Sequence, residues 1–169
     1  LINEILKFKE FEKISVSLPS LRIDSFSLNL ARLIQSGRKT GLTFAPEAGS
    51  QRLRDIIKKD IKEEELFESI NFAFSEGLSR IKLYFMLGLP FEELSDVAAI
   101  PEVINTIIDI AHNVFTKRNF SRLMISVSIN PFCPKPFTPF QWAAQNSIES
   151  FQNKIDIIRK NINTRFVKL

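Results

Sequence analysis

The chain alternates between short apolar runs with strand character and longer segments with the apolar spacing of helices. The strands are predicted at residues 13–18, 40–46, 80–87 and 122–129. The helices are predicted at 24–36, 49–58, 62–76, 95–115, with Pro101 in an early turn or at a break, and 144–161. Strands separated by helices run parallel and cross over right-handedly. The pattern therefore predicts an α/β fold: a partial (β/α) barrel of about four parallel strands with helices outside.

No linker divides the sequence, so we expect one unit over residues 1–169. Its core is expected within 13–142, followed over 143–169 by a C-terminal helix and the start of a further strand. The chain begins at Leu1 without a methionine and ends within the strand-like RFVKL. From these ends we expect a piece of a longer protein.

Composition limits the possible classes of protein. The chain has 44% hydrophobic and 25% charged residues, which is typical of a globular domain with a core. Its net charge of +4 is spread along the sequence, so charge does not indicate nucleic-acid binding. No apolar run reaches membrane-spanning length and no signal peptide is evident, so we expect a cytoplasmic protein. The single cysteine, Cys133, excludes a cysteine-based metal or iron–sulfur site built by this chain alone.

Polar turns follow two of the predicted strands, in APEAGS (45–50) and in Gly88-Leu89-Pro90. Ligands of parallel α/β proteins bind at the carboxyl ends of strands. Glu47 could therefore reach an amino or hydroxyl group of a ligand. The alternative is that Glu47 caps the next helix and pairs with Arg52 or Arg54. Gly88 would allow a flat ligand to approach the backbone, or the segment is an ordinary strand-to-helix turn.

Three further features have two interpretations each. The proline-rich loop 131–139, with Lys135 as its only charged residue, either lines a pocket or wraps over the barrel end. Ser20 and Arg22 follow the first predicted strand. They either project at the same ligand-binding face as the other strand ends or form a turn and a cap. His112 is expected at a helix surface rather than in catalysis.

Four segments together resemble the radical SAM superfamily, most closely the cobalamin-binding-type radical SAM proteins of unknown function. They are SVSLPSLRIDSF, GLTFAPEAGSQRLRDIIKKDI, IKLYFMLGLPFEELSDV and ISVSINPFCPKPFTPFQW. The resemblance implies a six-stranded partial barrel. In that family a three-cysteine loop binds a [4Fe–4S] cluster, which holds S-adenosylmethionine and cleaves it reductively to a 5′-deoxyadenosyl radical. This chain would supply strands three to six.

The resemblance also implies roles for individual residues. Glu47 would contact the ribose or methionine part of S-adenosylmethionine, and Ser20 and Arg22 would face the same cavity. Leu87, Gly88 and Pro90 would lie along the adenine. On the substrate side, the sixth-strand loop would contribute Lys135 and Phe137. No catalytic residue and no metal ligand is expected in this chain.

The chain departs from the family pattern because it lacks the CxxxCxxC loop, and Cys133 matches no cluster ligand. We therefore expect an inactive fragment of a larger enzyme, which would bind the cluster and S-adenosylmethionine and could also bind cobalamin. Its expected partners are the missing N-terminal half of the same polypeptide, an unknown substrate and, through an exposed sheet edge, a second copy. The competing hypotheses are a cluster-independent barrel enzyme that uses Glu47 in acid–base chemistry, and a non-catalytic interaction module.

Overall fold

The computed structural model describes residues 42–169, which contain a single four-stranded sheet. The strands are β1 (Leu42–Glu47), β2 (Arg80–Leu87), β3 (Met124–Pro131) and β4 (Val167–Lys168). They are all parallel, and their order in the sheet is β1-β2-β3-β4. The described part of the sheet does not close into a barrel. The predicted strand 13–18 and helix 24–36 lie outside the described residues, and the terminal RFVKL contributes β4.

Five helices connect and flank these strands within residues 42–169. They are α1 (Gln51–Ile56), α2 (Glu63–Ser75), α3 (Leu94–Val114), α4 (Lys117–Phe120) and α5 (Ile148–Lys160). The sequence pattern predicted all of them except the short α4. Strand β3 begins and ends two residues later than predicted, and α5 begins four residues later. The mixed α/β class with parallel strands and surrounding helices is confirmed.

Strand order explains why the two faces of the sheet differ. Because the order follows the chain, right-handed crossovers place the connecting helices on one face. In β2, buried residues alternate with half-exposed ones, and the same alternation runs through β1 and most of β3. A parallel sheet covered on both faces has nearly continuous apolar strands instead. The described sheet therefore has an outer face packed against helices and an inner, more polar face.

The main core lies between the outer face and helices α2, α3 and α5. Its most deeply buried members include Leu83, Phe85, Leu66, Ile70, Ile104, Ile107 and Ile158. A smaller apolar cluster lies at the carboxyl ends of the strands. It joins the loops after β1, β2 and β3, through Ala48, Leu53, Leu89 and Phe132. This second cluster fixes the loops that carry the candidate site.

Pro101 corrects one expectation, because it lies inside α3 rather than in an early turn or at a break. A proline within a helix lacks the N–H for its intrahelical bond and costs about 3 kcal/mol. Val97, Ile100, Val103 and Ile104 beside it are buried in the core, and Pro101 is itself buried. Tertiary packing therefore holds the helix through a residue that local propensity would place at its end.

Gly49 lets the turn after β1 approach the backbone of α3. A methyl group added there would lie 2.5 Å from the Asp96 carbonyl oxygen and 2.6 Å from the Ile100 nitrogen. We expect Gly49→Ala to lower the free energy of unfolding by about 2 kcal/mol, measured by urea denaturation, because the backbone of α3 must move. Gly49→Ala should cost as much in an Ile100→Ala background as in the parent protein. A double variant no less stable than Ile100→Ala alone would show that the contact is with the Ile100 side chain alone.

Candidate functional site

The loops after β1 and β2 each lead directly into a helix that is capped by its own residues. Ser50 is the N-cap of α1, and its hydroxyl accepts the Leu53 N–H at 3.1 Å. Glu93 is the N-cap of α3, and its N–H donates to Asp96 Oδ2 at 2.7 Å. Such caps satisfy backbone groups that the helix leaves unpaired. The two caps fix the direction in which each loop leaves its strand.

An ion pair joins these two loops across the ends of β1 and β2. Asp96 is only 2% exposed, and the Arg52 guanidinium donates to both of its carboxylate oxygens. The Ser50 hydroxyl donates to Asp96 Oδ1, and Arg52 also donates to the Phe91 carbonyl at 2.9 Å. Asp96 therefore accepts from both helix starts at once. One interpretation of the sequence paired Glu47 with Arg52 or Arg54, but the partner of Arg52 is Asp96 in α3.

The same contacts determine the ionisation of the pair. Burial would raise the pKa of Asp96, but the hydrogen bonds from Arg52, Ser50 and the Glu93 N–H outweigh it and lower the pKa below its usual value. The hydrogen bond with Asp96 raises the pKa of Arg52. Because the folded protein binds this proton more weakly than the unfolded chain, the Asp96 carboxylate contributes stability above pH about 4. That contribution is lost as the pH falls through the lowered pKa.

A second ion pair fixes the turn after β2 to the last helix. The Glu92 side chain is 3% exposed, accepts the Gly88 N–H at 2.9 Å and lies 2.6 Å from Lys154 Nζ. Lys154 also donates to Asn146 Oδ1 at 2.6 Å. Gly88 has φ +82°, and a methyl group on it would lie 2.9 Å from Asn146. Glycine at position 88 is thus required by both its conformation and its neighbour.

The buried side chain of Arg54 binds the backbone of the turn after β1. Its side chain is fully buried and donates to the Ala48 and Gly49 carbonyls, each at 3.0 Å. It also donates to Glu63 at 2.7 Å, while its Nε has no hydrogen-bond partner among the described residues. A buried guanidinium that binds two carbonyls holds the turn in one shape.

Glu47 lies at the end of β1 in an unusual backbone conformation. Its φ is +66°, and the pairing of β1 with β2 is irregular between Phe44 and Glu47. The carboxylate is 3.3 Å from Lys59 Nζ and is partly exposed. The expectation that Glu47 caps α1 and pairs with Arg52 or Arg54 is wrong, because Ser50 caps the helix and Lys59 is the partner. Glu47 and Lys59 are 12 residues apart, a spacing from which the sequence does not indicate an ion pair.

The other predicted site residues lie in different surroundings. Leu87 is buried in the main core, so its side chain faces the helices, whereas Pro90 is half-buried in the turn. Lys135 is exposed, and Phe137, with φ +62°, is 99% exposed. Ser20 and Arg22 lie outside the described residues. The structure thus brings Glu47, Gly88 and Pro90 to the carboxyl ends of β1 and β2. Lys135 and Phe137 lie on the loop that follows β3.

The proline-rich loop folds back over the strand ends. Phe132 and Phe140 pack with their ring centroids 6.3 Å apart, and both contribute to the smaller apolar cluster. Within residues 42–169, no group of three or more His, Cys, Asp or Glu side chains is arranged to hold a metal ion. Cys133 is exposed, and His112 lies at the surface of α3, as expected. Among the helices described here, none is long and apolar enough to cross a membrane.

Comparison with known proteins adds one relative. The chain is 35% identical over 169 residues to an uncharacterized protein, MJ0966, of Methanocaldococcus jannaschii. The match covers 99% of this chain, which spans about a third (34%) of the length of that relative. No protein-family model matches the chain.

Removing the charge of Asp96 should loosen the contact between the two loops. We expect Asp96→Asn to lower the free energy of unfolding by about 2 kcal/mol at neutral pH, because an amide cannot accept from Arg52, Ser50 and Glu93 together. The difference between variant and parent should begin to shrink below pH about 4, where the unfolded chain binds the proton, and should vanish as the pH falls through the lowered pKa of the folded protein. Urea denaturation across this pH range measures both effects. Asp109→Asn, at an exposed position of the same helix, should change little.

Removing Lys154 should leave the Glu92 carboxylate buried without its counter-ion. We expect Lys154→Met to lower the free energy of unfolding by about 3 kcal/mol and the double variant with Glu92→Gln to lose clearly less. The control is Lys160→Met, because Lys160 is exposed on the same helix. If Lys154→Met and the double variant lost equal stability, the two groups would not be energetically coupled.

Proposed function

We propose that this chain is part of the catalytic barrel of a radical SAM iron–sulfur enzyme. In this proposal the parent protein binds S-adenosylmethionine and a [4Fe–4S] cluster, and it could also bind cobalamin. Residues 42–169 supply walls on the cofactor and substrate sides. The missing N-terminal half of the same polypeptide completes the site, and the substrate is unknown. A cytoplasmic location belongs to the proposal, since a reducing compartment keeps cysteine ligands in the thiol state.

The observation that carries the proposal is the one-sided sheet. Four parallel strands in chain order, with an apolar outer face and a more polar inner face, have the arrangement of one wall of a (β/α) barrel. The strand ends carry two loops tied together by Arg52 and Asp96. In barrels of this kind, ligands bind at the carboxyl ends of the strands. The particular enzyme class is proposed because four sequence segments resemble the radical SAM superfamily.

The residues of this chain could contact S-adenosylmethionine, but they cannot hold the [4Fe–4S] cluster. One cysteine cannot supply three thiolate ligands, so the cluster must be held by another part of the polypeptide. The cofactor-side residues fit better. Glu47 is partly exposed, so its carboxylate can accept from a ribose hydroxyl while it remains near Lys59. The Gly88 N–H is already bound by Glu92, so Gly88 would offer a flat backbone surface rather than a donor.

The roles of this chain in catalysis would be binding, orientation and exclusion of water. Glu47 would fix the position of S-adenosylmethionine, and the Arg52–Asp96 pair would hold the two loops at a constant separation. Phe132 and Phe140 would keep water from the strand ends. When bound, the cluster and S-adenosylmethionine would supply the 5′-deoxyadenosyl radical.

The proposal is tested with the full-length polypeptide that carries this chain. After anaerobic reconstitution with iron and sulfide, we expect the absorption and electron paramagnetic resonance spectra of a [4Fe–4S] cluster, and 5′-deoxyadenosine on reduction with S-adenosylmethionine. Calorimetry should show that Glu47→Gln weakens S-adenosylmethionine binding about tenfold, the effect of one charge-assisted hydrogen bond.

The matched control is Glu64→Gln, at an exposed position of α2, which should leave the affinity unchanged. Absence of both a cluster and S-adenosylmethionine binding in the full-length protein would refute the proposal. Equal affinities of the parent and Glu47→Gln would refute the role of Glu47 and leave the enzyme class standing.

A second candidate is a non-catalytic module that binds a protein or a second copy of this chain. It is favoured by large apolar side chains at the surface, among them Phe137 (99% exposed), Trp142 (90%) and Ile148 (89%). Aromatic residues such as Phe and Trp are enriched in protein–protein interfaces. Sedimentation of the full-length protein distinguishes the cases: a dimer that dissociates in Trp142→Ala would support this module.

A further inference from the structure

We propose that the inner face of the sheet binds a small molecule through its phosphate group, with Lys82 as the main cation. The inference rests on the sheet alone and does not require radical chemistry. Register places Lys82 beside Thr43 on β1 and Ser126 on β3, and Ser126 beside Lys168 on β4. Paired residues on parallel strands point to the same face, so two lysines and two hydroxyl groups form one row.

The charge of this face is unbalanced. In the four described strands the basic residues are Arg80, Lys82 and Lys168, which all lie at inner-face positions. The one acidic residue of these strands is Glu47, which pairs with Lys59 at the strand end. No carboxylate of the described residues forms an ion pair with Lys82. Lys82 is half-buried, and since no counter-ion for it lies among the described residues, an anionic ligand would complement its charge.

An aromatic ring positions the ammonium of Lys82. Its Nζ lies 4.7 Å from the centroid of the Tyr84 ring, two residues further along the same face. This cation–π contact holds the long side chain without using its three N–H donors. The contact places the ammonium beside Tyr84, the next inner-face residue toward the carboxyl end of β2, and ligands of parallel α/β proteins bind at that end.

The surrounding hydroxyls match a phosphate group. Ser128 is the register partner of Tyr84, and Ser126 is that of Lys82, so both serines lie one strand away, about 4.8 Å across the sheet. Successive residues on one face are about 6.6 Å apart along a strand. A tetrahedral phosphate can accept from the ammonium and both hydroxyls at once. A planar carboxylate has only two oxygen atoms, so it would use fewer of these donors.

The test is calorimetric titration of the full-length protein with inorganic pyrophosphate, and with acetate for comparison, in the absence of S-adenosylmethionine. We expect pyrophosphate to bind and Lys82→Met to weaken its affinity about tenfold or more. Lys82→Arg, which keeps the charge, should stay within about threefold of the parent protein. Ser126→Ala should weaken the affinity by a smaller factor. Acetate should bind more weakly than pyrophosphate to every form.

The matched control is Lys117→Met, which removes an exposed lysine from α4, away from the inner face. It should leave the affinity unchanged, and thermal unfolding should confirm that Lys82→Met remains folded. The proposal is overturned if the parent does not bind pyrophosphate at millimolar concentration, or if Lys82→Met and Lys117→Met weaken binding equally. Because S-adenosylmethionine is absent, failure here is separate from failure of the radical SAM proposal.

Discussion

The candidate site depends on the buried carboxylate of Asp96. This one side chain accepts from Ser50 and Arg52 at the start of α1 and from the Glu93 N–H at the start of its own helix. Ionised groups are costly to bury, and Asp96 is tolerated because all these donors converge on it. The contact can form only when β1 and β2 are adjacent and Gly49 leaves room for α3. The geometry of the strand ends is therefore a consequence of the sheet register.

The two faces of the sheet have different roles. Leu83 and Phe85 on the outer face pack against helices, and this packing accounts for the main core. Lys82 and Tyr84 alternate with them and are half-exposed, so they contribute little to that core. Side chains on the inner face can therefore contact a ligand without loss of core packing, whereas those on the outer face cannot. The radical SAM proposal and the phosphate proposal both use this division, but they rely on different residues.

Local patterns predicted most of the fold and few of the contacts in the site. The alternation in β2 and the spacing in α2 were sufficient because each depends on neighbouring residues only. The helix over 95–115 was predicted correctly, but Pro101 was expected in an early turn or at a break, because the burial of α3 that outweighs its local cost is not visible in the sequence. The partners of Arg52 and Lys154 lie 44 and 62 residues away, so no local pattern could identify them. Gly88 was predicted as a special position, but the role of Asn146 beside it depends on where α5 packs.

The link between Glu92 and Lys154 also has a consequence for how the protein is made. Lys154 is synthesised 62 residues after Glu92. At about 5–20 residues per second, the carboxylate waits roughly 3–12 s for its counter-ion on the ribosome. During that interval the turn after β2 lacks the cation that later fixes it, and β3 has no α5 to cover it. The nascent chain therefore completes the loop beside Gly88 only after a further 62 residues have been translated.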